Sequence, residues 1–288
     1  MGSERIKSVA VLGAGVMGRG IAHVAAQSGF QTTLIDVSAE ILSDALSSIK
    51  ANLKKGVEKG KLAEDVMIGA LARLEIDDQL ERGVRSADLV IEAVPERIDL
   101  KIETLARAHA SVGPHAILGT NTSSLSITEI AAGCGRADRV AGMHFFNPVH
   151  IMKLVEVIRG LETSASTMEA VVAAARAMGK EVVEVRESPG FVTTRMNALI
   201  GNEAFRMLEE GVASAEDIDR ALKLGLNHPM GPFELVDLVG LDTRLSILEY
   251  LHRTLGERYR PSPLMVQYVK GGRLGRKKGR GVYEYPSK

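Results

Sequence analysis

The stretch AVLGAGVMG, residues 10–18, places three glycines in the spacing Gly-x-Gly-x-x-Gly directly after an apolar segment. Gly13 permits a tight turn, Gly15 lets the backbone come close to a pyrophosphate, and Gly18 allows the next helix to pack near the strand. The unpaired N–H groups at the start of that helix attract phosphate. The pattern therefore predicts a strand, a turn and a helix that bind a dinucleotide. The predicted contacts are Gly13, Ala14, Gly15, Val16, Met17 and Gly18.

An acidic residue, Asp36, follows the second predicted strand. Its carboxylate can accept hydrogen bonds from both hydroxyls of an adenosine ribose, and it would repel a 2′-phosphate. Val37 and Ser38 add no positive charge to offset this repulsion. We therefore predict NAD rather than NADP. The alternative interpretation is a glycine-rich turn followed by an ordinary surface aspartate.

The composition is that of a globular chain without a charge bias. Its 288 residues, 45% hydrophobic and 25% charged, are enough for two domains. Because 36 basic residues balance 36 acidic ones, no global field favours nucleic acid or an anionic membrane. The sequence has no run resembling a membrane span, and its single cysteine, Cys134, suits a reducing compartment. We expect a cytoplasmic protein with no nucleic-acid, membrane or metal partner.

The first two thirds of the chain alternate between strand-like and helical segments. The predicted strands are Ser8–Leu12, Thr32–Ile35, Leu89–Glu92, Ala116–Leu118, Val140–His144 and Glu181–Val185. This alternation predicts an α/β fold with a mostly parallel, Rossmann-type doubly wound sheet. Between Ser38 and Ile76 we expect two helices that leave the sheet.

The pattern changes at Ser188, after which the apolar residues follow a helical period. We therefore predict a dinucleotide-binding domain over 1–187 and an all-α domain over 188–288. Ser214 is the predicted cap of one helix, and a second is predicted from Pro232 to Leu255. The apolar surface of such a domain needs a partner, and we expect a homodimer.

Candidate catalytic residues lie where the strands end. Asn121–Ser124 follow one predicted strand and His144 ends the next, so both should lie at the carboxyl edge of the sheet, where open α/β folds bind ligands. Glu156 is the one carboxylate in an apolar run, and a chain reversal after Pro148 would bring it beside His144.

Hydroxyl oxidation explains why these residue types would belong together. Histidine is a natural base for the hydroxyl proton, and a buried carboxylate on its second ring nitrogen would stabilise the imidazolium. Ser123 could hydrogen-bond the reacting oxygen, and Asn147 could help to hold the cofactor. The alternatives are an ordinary polar role for His144 and a helix-capping role for Ser123.

Several blocks of the sequence together resemble the 3-hydroxyacyl-CoA dehydrogenases, in particular the bacterial 3-hydroxybutyryl-CoA type. The blocks are Gly13–Gly18, Glu92–Glu96, Asn121–Ser124, His144–Pro148, Lys153–Val157, Ser188–Phe191 and His228–Pro232. The resemblance implies a Rossmann domain followed by a helical dimerisation domain. It also implies NAD-linked oxidation of an (S)-3-hydroxyacyl-CoA, a step of fatty acid metabolism.

The resemblance also implies roles for individual residues. It makes His144 the catalytic base, Glu156 its partner and Ser123 a contact of both substrate and cofactor. The further implied cofactor contacts are Asp36, Glu96, Lys101, Asn147 and Lys277. Lys59 is implied as a CoA contact, which agrees with the cluster of lysines around it. Asn52 stands where the family has a CoA-contacting serine.

One position departs from the family, which usually carries an active-site Asn directly before Arg195. This chain has Thr194 there. Asn197 lies three residues later, and helical side chains lean towards the N-terminus, so Asn197 could reach the vacated space. Alternatively, Thr194 itself bonds Ser123 or the substrate. Both interpretations stay open.

Other functions are compatible with parts of this pattern. A relative could oxidise 3-hydroxyadipyl-CoA or a sugar acid, and a non-catalytic protein could retain NAD binding alone. The basic stretch from Arg273 to Arg280 is interrupted by glycines, which favours a folded turn over a nucleic-acid patch.

Overall fold

The computed structural model describes residues 6–286 and divides the chain into two compact units, which meet in sequence at Ser188 and Pro189. Each unit has its own apolar core.

The N-terminal unit is built around one sheet, in the spatial order β3-β2-β1-β4-β5-β6-β7-β8. The strands are β1 (Ser8–Leu12), β2 (Gln31–Ile35), β3 (Leu74–Asp77), β4 (Leu89–Glu92), β5 (Ile117–Thr120), β6 (Val140–Phe145), β7 (Leu154–Arg159) and β8 (Glu181–Arg186). The helices are α1 (Val16–Gln27), α2 (Ala39–Glu58), α3 (Glu64–Ala72), α4 (Leu80–Gly83), α5 (Ile98–Ser111), α6 (Ile127–Cys134) and α7 (Ala165–Ala177). Neighbouring strands are parallel except β6 and β7, which are antiparallel. The predicted α/β fold is therefore confirmed.

The sequence pattern does not predict two of the strands, β3 and β7. The excursion from Ser38 does contain two helices, α2 and α3, but it returns to the sheet as β3, which pairs with β2. With only four residues at a sheet edge, β3 carries too little apolar alternation to stand out. The apolar run around Glu156 forms the whole of β7.

The glycine turn between β1 and α1 has the geometry that its sequence predicts. Gly13 has a φ of 96°, a value that glycine adopts without strain. A Cβ on Gly18 would lie 1.7 Å from the carbonyl oxygen of Gly13, so the helix could not begin so close to the strand with a larger residue there.

The C-terminal unit is helical, with α8 (Thr193–Glu209), α9 (Ala215–Gly225), α10 (Pro232–Val239), α11 (Leu241–Leu255) and α12 (Pro263–Lys270). Ser214 caps α9, accepting a hydrogen bond from the backbone N–H of Asp217, as predicted. The single helix predicted from Pro232 to Leu255 is wrong. Gly240 has a φ of 103° and separates α10 from α11. A positive φ takes the backbone out of the right-handed helical region.

A buried histidine in α1 makes the stability of the protein sensitive to acid. His23 is 3% exposed and stacks on His150 at 5.3 Å between ring centroids. Burial, assisted by the nearby His150 and Lys180, lowers the pKa of His23 to about 4. In the unfolded chain its pKa returns to about 6.5, so below that value the unfolded state binds the proton more readily.

We therefore expect His23 to reduce the free energy of unfolding by up to about 3 kcal/mol as the pH falls from 6.5 to 4. This loss is absent well above pH 6.5, where the histidine is neutral in both the folded and the unfolded state. Urea unfolding of the unsubstituted protein and of His23→Gln, at pH 7 and at pH 4.5, measures the effect. The variant should lose less stability on acidification, and an equal loss in both proteins would contradict the expectation.

Candidate active site

Three loops meet at the carboxyl edge of the sheet, where β1, β4 and β5 end. The backbone N–H of Ala93 donates to Leu12 at 2.7 Å, and the N–H of Asn121 donates to the carbonyl of Glu92 at 2.8 Å. A Cβ added to Gly13 would lie 2.8 Å from the carbonyl oxygen of Ala93. The glycine turn, the loop after β4 and the loop after β5 therefore form one continuous surface.

Asp36 lies directly beside the glycine turn. Its Oδ2 accepts a hydrogen bond from the backbone N–H of Ala14 at 2.8 Å, and its Oδ1 accepts one from Ser38 at 3.1 Å. Each carboxylate oxygen can accept a second bond. The side chain can thus bind two ribose hydroxyls while the turn holds it in place.

His144 and Glu156 are opposite each other on the antiparallel strands β6 and β7. The Nδ1 atom of His144 lies 2.8 Å from Oε2 of Glu156, whose side chain is completely buried. A hydrogen bond donated from Nδ1–H to this carboxylate favours the tautomer in which Nε2 carries no proton. The pair therefore combines a proton acceptor with a buried anion that stabilises the protonated ring.

Ser123 is held by a second carboxylate, Glu96. One oxygen of Glu96 accepts hydrogen bonds from Thr122 Oγ1 at 2.6 Å, from the Ser123 N–H at 2.9 Å and from Ser123 Oγ at 3.2 Å. The interpretation of Ser123 as a helix cap is wrong, because α6 begins at Ile127 and Ser126 accepts the capping bond. Capping by the serine nearest the helix leaves Ser123 in the loop at the sheet edge.

Two charged residues of this region, Lys101 and Glu92, are completely buried. Lys101, predicted to contact the cofactor, is wholly buried, with its Nζ 2.8 Å from Oε1 of Glu92. Glu92 itself was part of a recognised sequence block but was not predicted as a site residue. Its position as the last residue of a buried strand, where a carboxylate is unusual, is the signal that could have identified it.

The remaining predicted residues belong to other elements of the chain. Asn52 and the helix-capping Lys59 are exposed at the C-terminal end of α2, seven positions apart and so on nearly the same helix face. Asn147 is exposed just after β6. Thr194 and Asn197 are on α8 of the C-terminal unit.

Lys277 also belongs to the C-terminal unit, where it forms an ion pair with Asp242 at 2.6 Å. The basic stretch around it forms a folded turn in which Arg273 stacks over Tyr268 and donates to the carbonyl of Gly281. Within residues 6–286, no group of three or more His, Cys, Asp or Glu side chains is arranged to hold a metal ion. No helix in that range is long and apolar enough to cross a membrane.

Family models match consecutive parts of the chain. The model for the NAD binding domain of 3-hydroxyacyl-CoA dehydrogenase matches residues 8–188, and the model for the C-terminal domain of the same family matches residues 190–285.

Individual proteins agree with these matches. A probable 3-hydroxybutyryl-CoA dehydrogenase of Bacillus subtilis is 50% identical over 284 residues, which cover 98% of this chain and 99% of that protein. A 3-hydroxyadipyl-CoA dehydrogenase of Escherichia coli is 43% identical over 97% of this chain and 59% of its own length. The crystal structure of a (S)-3-hydroxybutyryl-CoA dehydrogenase from Ralstonia eutropha has a TM-score of 0.95 at 44% identity, covering 98% of this chain and 100% of that one. The predicted resemblance and the predicted cofactor, NAD, are confirmed.

Proposed function

Because the chain belongs to the 3-hydroxyacyl-CoA dehydrogenase family, whose members are NAD-dependent oxidoreductases, we propose that it interconverts short-chain (S)-3-hydroxyacyl-CoA and 3-oxoacyl-CoA. The preferred substrate in this proposal is (S)-3-hydroxybutyryl-CoA. The observation that carries it is the contact of His144 with the buried Glu156 at 2.8 Å. Oxidation of a hydroxyl requires a base of this kind beside the cofactor site.

Open space beside the glycine turn supports a dinucleotide site on the N-terminal unit. A Cβ built on Gly15 would meet no protein atom within 4 Å, so the space beside the turn is open. Residues 13–18 would hold the pyrophosphate at the start of α1, and Asp36 would hold the ribose. Glu96, Asn147 and Lys277 are the other proposed cofactor contacts. When bound, NAD supplies the acceptor for the hydride that leaves C3 of the substrate.

In the oxidation direction, Nε2 of His144 accepts the proton of the 3-hydroxyl. The Glu156 carboxylate stabilises the imidazolium that forms, and it keeps the ring oriented. Ser123 exchanges its 3.2 Å side-chain bond to Glu96 for a hydrogen bond donated to the 3-oxygen, while its backbone N–H keeps the bond to Glu96, and so it fixes the substrate relative to the base. In the reduction direction, the imidazolium returns the proton to the same oxygen. Thr194 and Asn197 are the two candidates for the role of the family's active-site amide.

The test of this function is the oxidation of NADH in the presence of acetoacetyl-CoA, followed by absorbance. Rapid turnover with acetoacetyl-CoA and little with free acetoacetate is expected. A protein that binds NADH but turns over neither would favour the non-catalytic interpretation. Because a relative named 3-hydroxyadipyl-CoA dehydrogenase is 43% identical, 3-oxoadipyl-CoA is the second candidate substrate, and it is assayed in parallel. A sugar-acid substrate would need no CoA.

Asp36 should decide the choice between NAD and NADP. We expect Asp36→Ala to lower kcat/KM for NADH by about 10- to 100-fold, because about 1.5–3 kcal/mol of charge-assisted hydrogen bonding is lost. The value for NADPH should rise, since the repulsion of a 2′-phosphate is removed. Steady-state kinetics with both cofactors provide the measurement.

Asp88→Ala is the matched control for this substitution. Asp88 also accepts backbone N–H bonds, from Lys7 and Ser8, but it precedes β4 and so lies at the opposite edge of the sheet. The NADH to NADPH ratio should be unchanged in this variant. An unchanged ratio in Asp36→Ala would contradict the assignment of the ribose site.

Lys59 should contribute to the binding of CoA. We expect Lys59→Glu to raise KM for acetoacetyl-CoA about tenfold at low ionic strength, because a phosphate attraction becomes a repulsion. The effect should shrink as salt is added. Lys54→Glu makes the same charge change on nearly the opposite face of α2, where Lys54 pairs with Glu58. An equal rise in both variants would show a general charge effect and no site at Lys59.

We also propose a homodimer, cytoplasmic location and a role in fatty acid metabolism. Exposed apolar side chains of the helical unit support a partner surface, among them Leu224, Leu226 and Leu238. The buried free thiol of Cys134 suits a reducing compartment. In this proposal, residues 1–187 bind NAD, and residues 188–288 contribute to substrate binding and dimerisation. Light scattering should give the mass of two chains.

A further inference from the structure

The burial of Lys101 raises the question of what its ammonium group binds. The side chain is completely buried, and its Nζ lies 2.8 Å from Glu92 Oε1, 3.2 Å from the carbonyl oxygen of Val94 and 3.4 Å from Glu96 Oε2. An ammonium group has three protons to donate. Two of them are donated to Glu92 and to the carbonyl of Val94, and the ammonium also forms an ion pair with Glu96.

Glu92 is equally enclosed. Its Oε1 accepts from Lys101 and from the backbone N–H of Val94 at 2.7 Å, and its Oε2 accepts from Thr120 Oγ1 at 2.6 Å. Burial raises the pKa of this carboxyl, while the ammonium of Lys101 acts in the opposite direction. Buried ion pairs are often no more stabilising than apolar side chains of the same volume. A contribution to folding stability is therefore a weak explanation for the presence of this buried ion pair.

Glu96 connects this ion pair to the loop that carries Ser123. Lys101 contacts one oxygen of Glu96, and the other oxygen of Glu96 accepts bonds from Thr122 and from both the backbone and the hydroxyl of Ser123. A continuous set of contacts thus runs from the end of β4, through the first turns of α5, to the loop after β5. We call Glu92, Lys101 and Glu96 the carboxylate–lysine relay.

We propose that Glu92 and Lys101 are positioning residues that act on the reaction through Glu96 and Ser123. The buried Glu92 carboxylate fixes the ammonium of Lys101, this ammonium fixes Glu96, and Glu96 fixes the place of Ser123 at the 3-oxygen of the substrate. The inference rests on the proposed function.

The direct test is Glu92→Gln, which keeps the shape of the side chain and removes its charge. In this variant Glu96 is the one carboxylate that still pairs with Lys101 within residues 6–286, and the ammonium draws it away from Ser123. We expect kcat for acetoacetyl-CoA reduction to fall about tenfold. Kd for NADH, measured by fluorescence, should rise by less than about threefold, because the displaced Glu96 is only one of several proposed cofactor contacts. A rise in Kd with kcat retained would overturn the relay in favour of a direct cofactor contact.

Ser123→Ala provides the second arm. If Glu92 acts through Ser123, adding Glu92→Gln to Ser123→Ala should lower kcat by less than about twofold. Losses that multiply in the double variant would overturn the proposal, as would an unchanged kcat in Glu92→Gln. If the unsubstituted enzyme fails to reduce acetoacetyl-CoA, the proposed function and the relay both fall. If it turns over normally and Glu92→Gln matches it, only the relay falls.

A milder variant keeps the proposal testable if Glu92→Gln does not fold. Thr120→Val removes only the hydrogen bond to Glu92 Oε2, and it should lower kcat about threefold with the same small effect on Kd. Thr32→Val is its matched control, because Thr32 is also a buried strand threonine but bonds only the carbonyl of Phe30. It should leave kcat unchanged, and an equal loss in both threonine variants would overturn the relay.

Discussion

Substituting His144→Asn is expected to lower kcat/KM for acetoacetyl-CoA by about 10²- to 10⁴-fold, the range that general acid–base groups contribute. The asparagine amide can replace Nδ1 as the donor to Glu156, so the buried carboxylate keeps a partner. It has no group at the position of Nε2, and the proton of the 3-hydroxyl then has no base to accept it. Binding of NADH should be retained, because the glycine turn and Asp36 are untouched.

The matched control is His150→Asn, the same change at a histidine six residues further along the chain. His150 is exposed and its ring stacks on that of His23, whereas the His144 ring is hydrogen-bonded to Glu156. Its substitution should leave kcat/KM within about twofold. A small loss in His144→Asn, with NADH bound and the fold intact by circular dichroism, would contradict the role of His144 as the base.

Substituting Glu156→Gln is expected to lower kcat by about 10²- to 10⁴-fold, by comparison with the same type of change in hydrolase triads. The amide of glutamine can donate to Nδ1 of His144, which favours the tautomer with the proton on Nε2. That nitrogen then cannot accept a proton from the substrate, and the imidazolium loses its buried counter-charge. The steric fit between β6 and β7 is preserved, so the loss should fall on kcat and hardly on Kd for NADH.

Glu184→Gln makes the same change on the neighbouring strand β8, where the side chain is exposed. This variant should match the unsubstituted enzyme in single-turnover measurements of NADH oxidation. If Glu156→Gln also matched it, the buried carboxylate would have no part in proton transfer. A large loss of kcat in both variants would indicate that replacing any glutamate on β7 or β8 disturbs the enzyme, independently of the contact with His144.

Much of the N-terminal unit was predictable because its signals are local. The turn at Gly13 needs a positive φ, and the approach of Gly18 to the Gly13 carbonyl excludes a Cβ. Residues within one short stretch meet both requirements. The alternation of apolar strands and helices also depends on residues that are close in sequence. The break at Gly240 was missed because its two flanking helices share one apolar period.

The sequence by itself determined the dinucleotide turn, the carboxylate after the second strand, the α/β class and the residue types for hydroxyl oxidation, because each depends on contiguous residues. The tertiary structure alone decided the antiparallel register that puts His144 opposite Glu156. It also decided the burial of Lys101 between Glu92 and Glu96. Both depend on contacts between separate strands and helices, and a register shift of one residue would turn a side chain to the other face of the sheet. The local pattern indicated a chain reversal that brings Glu156 near His144, but the strand register and the burial of Lys101 are set by the packing of the whole unit.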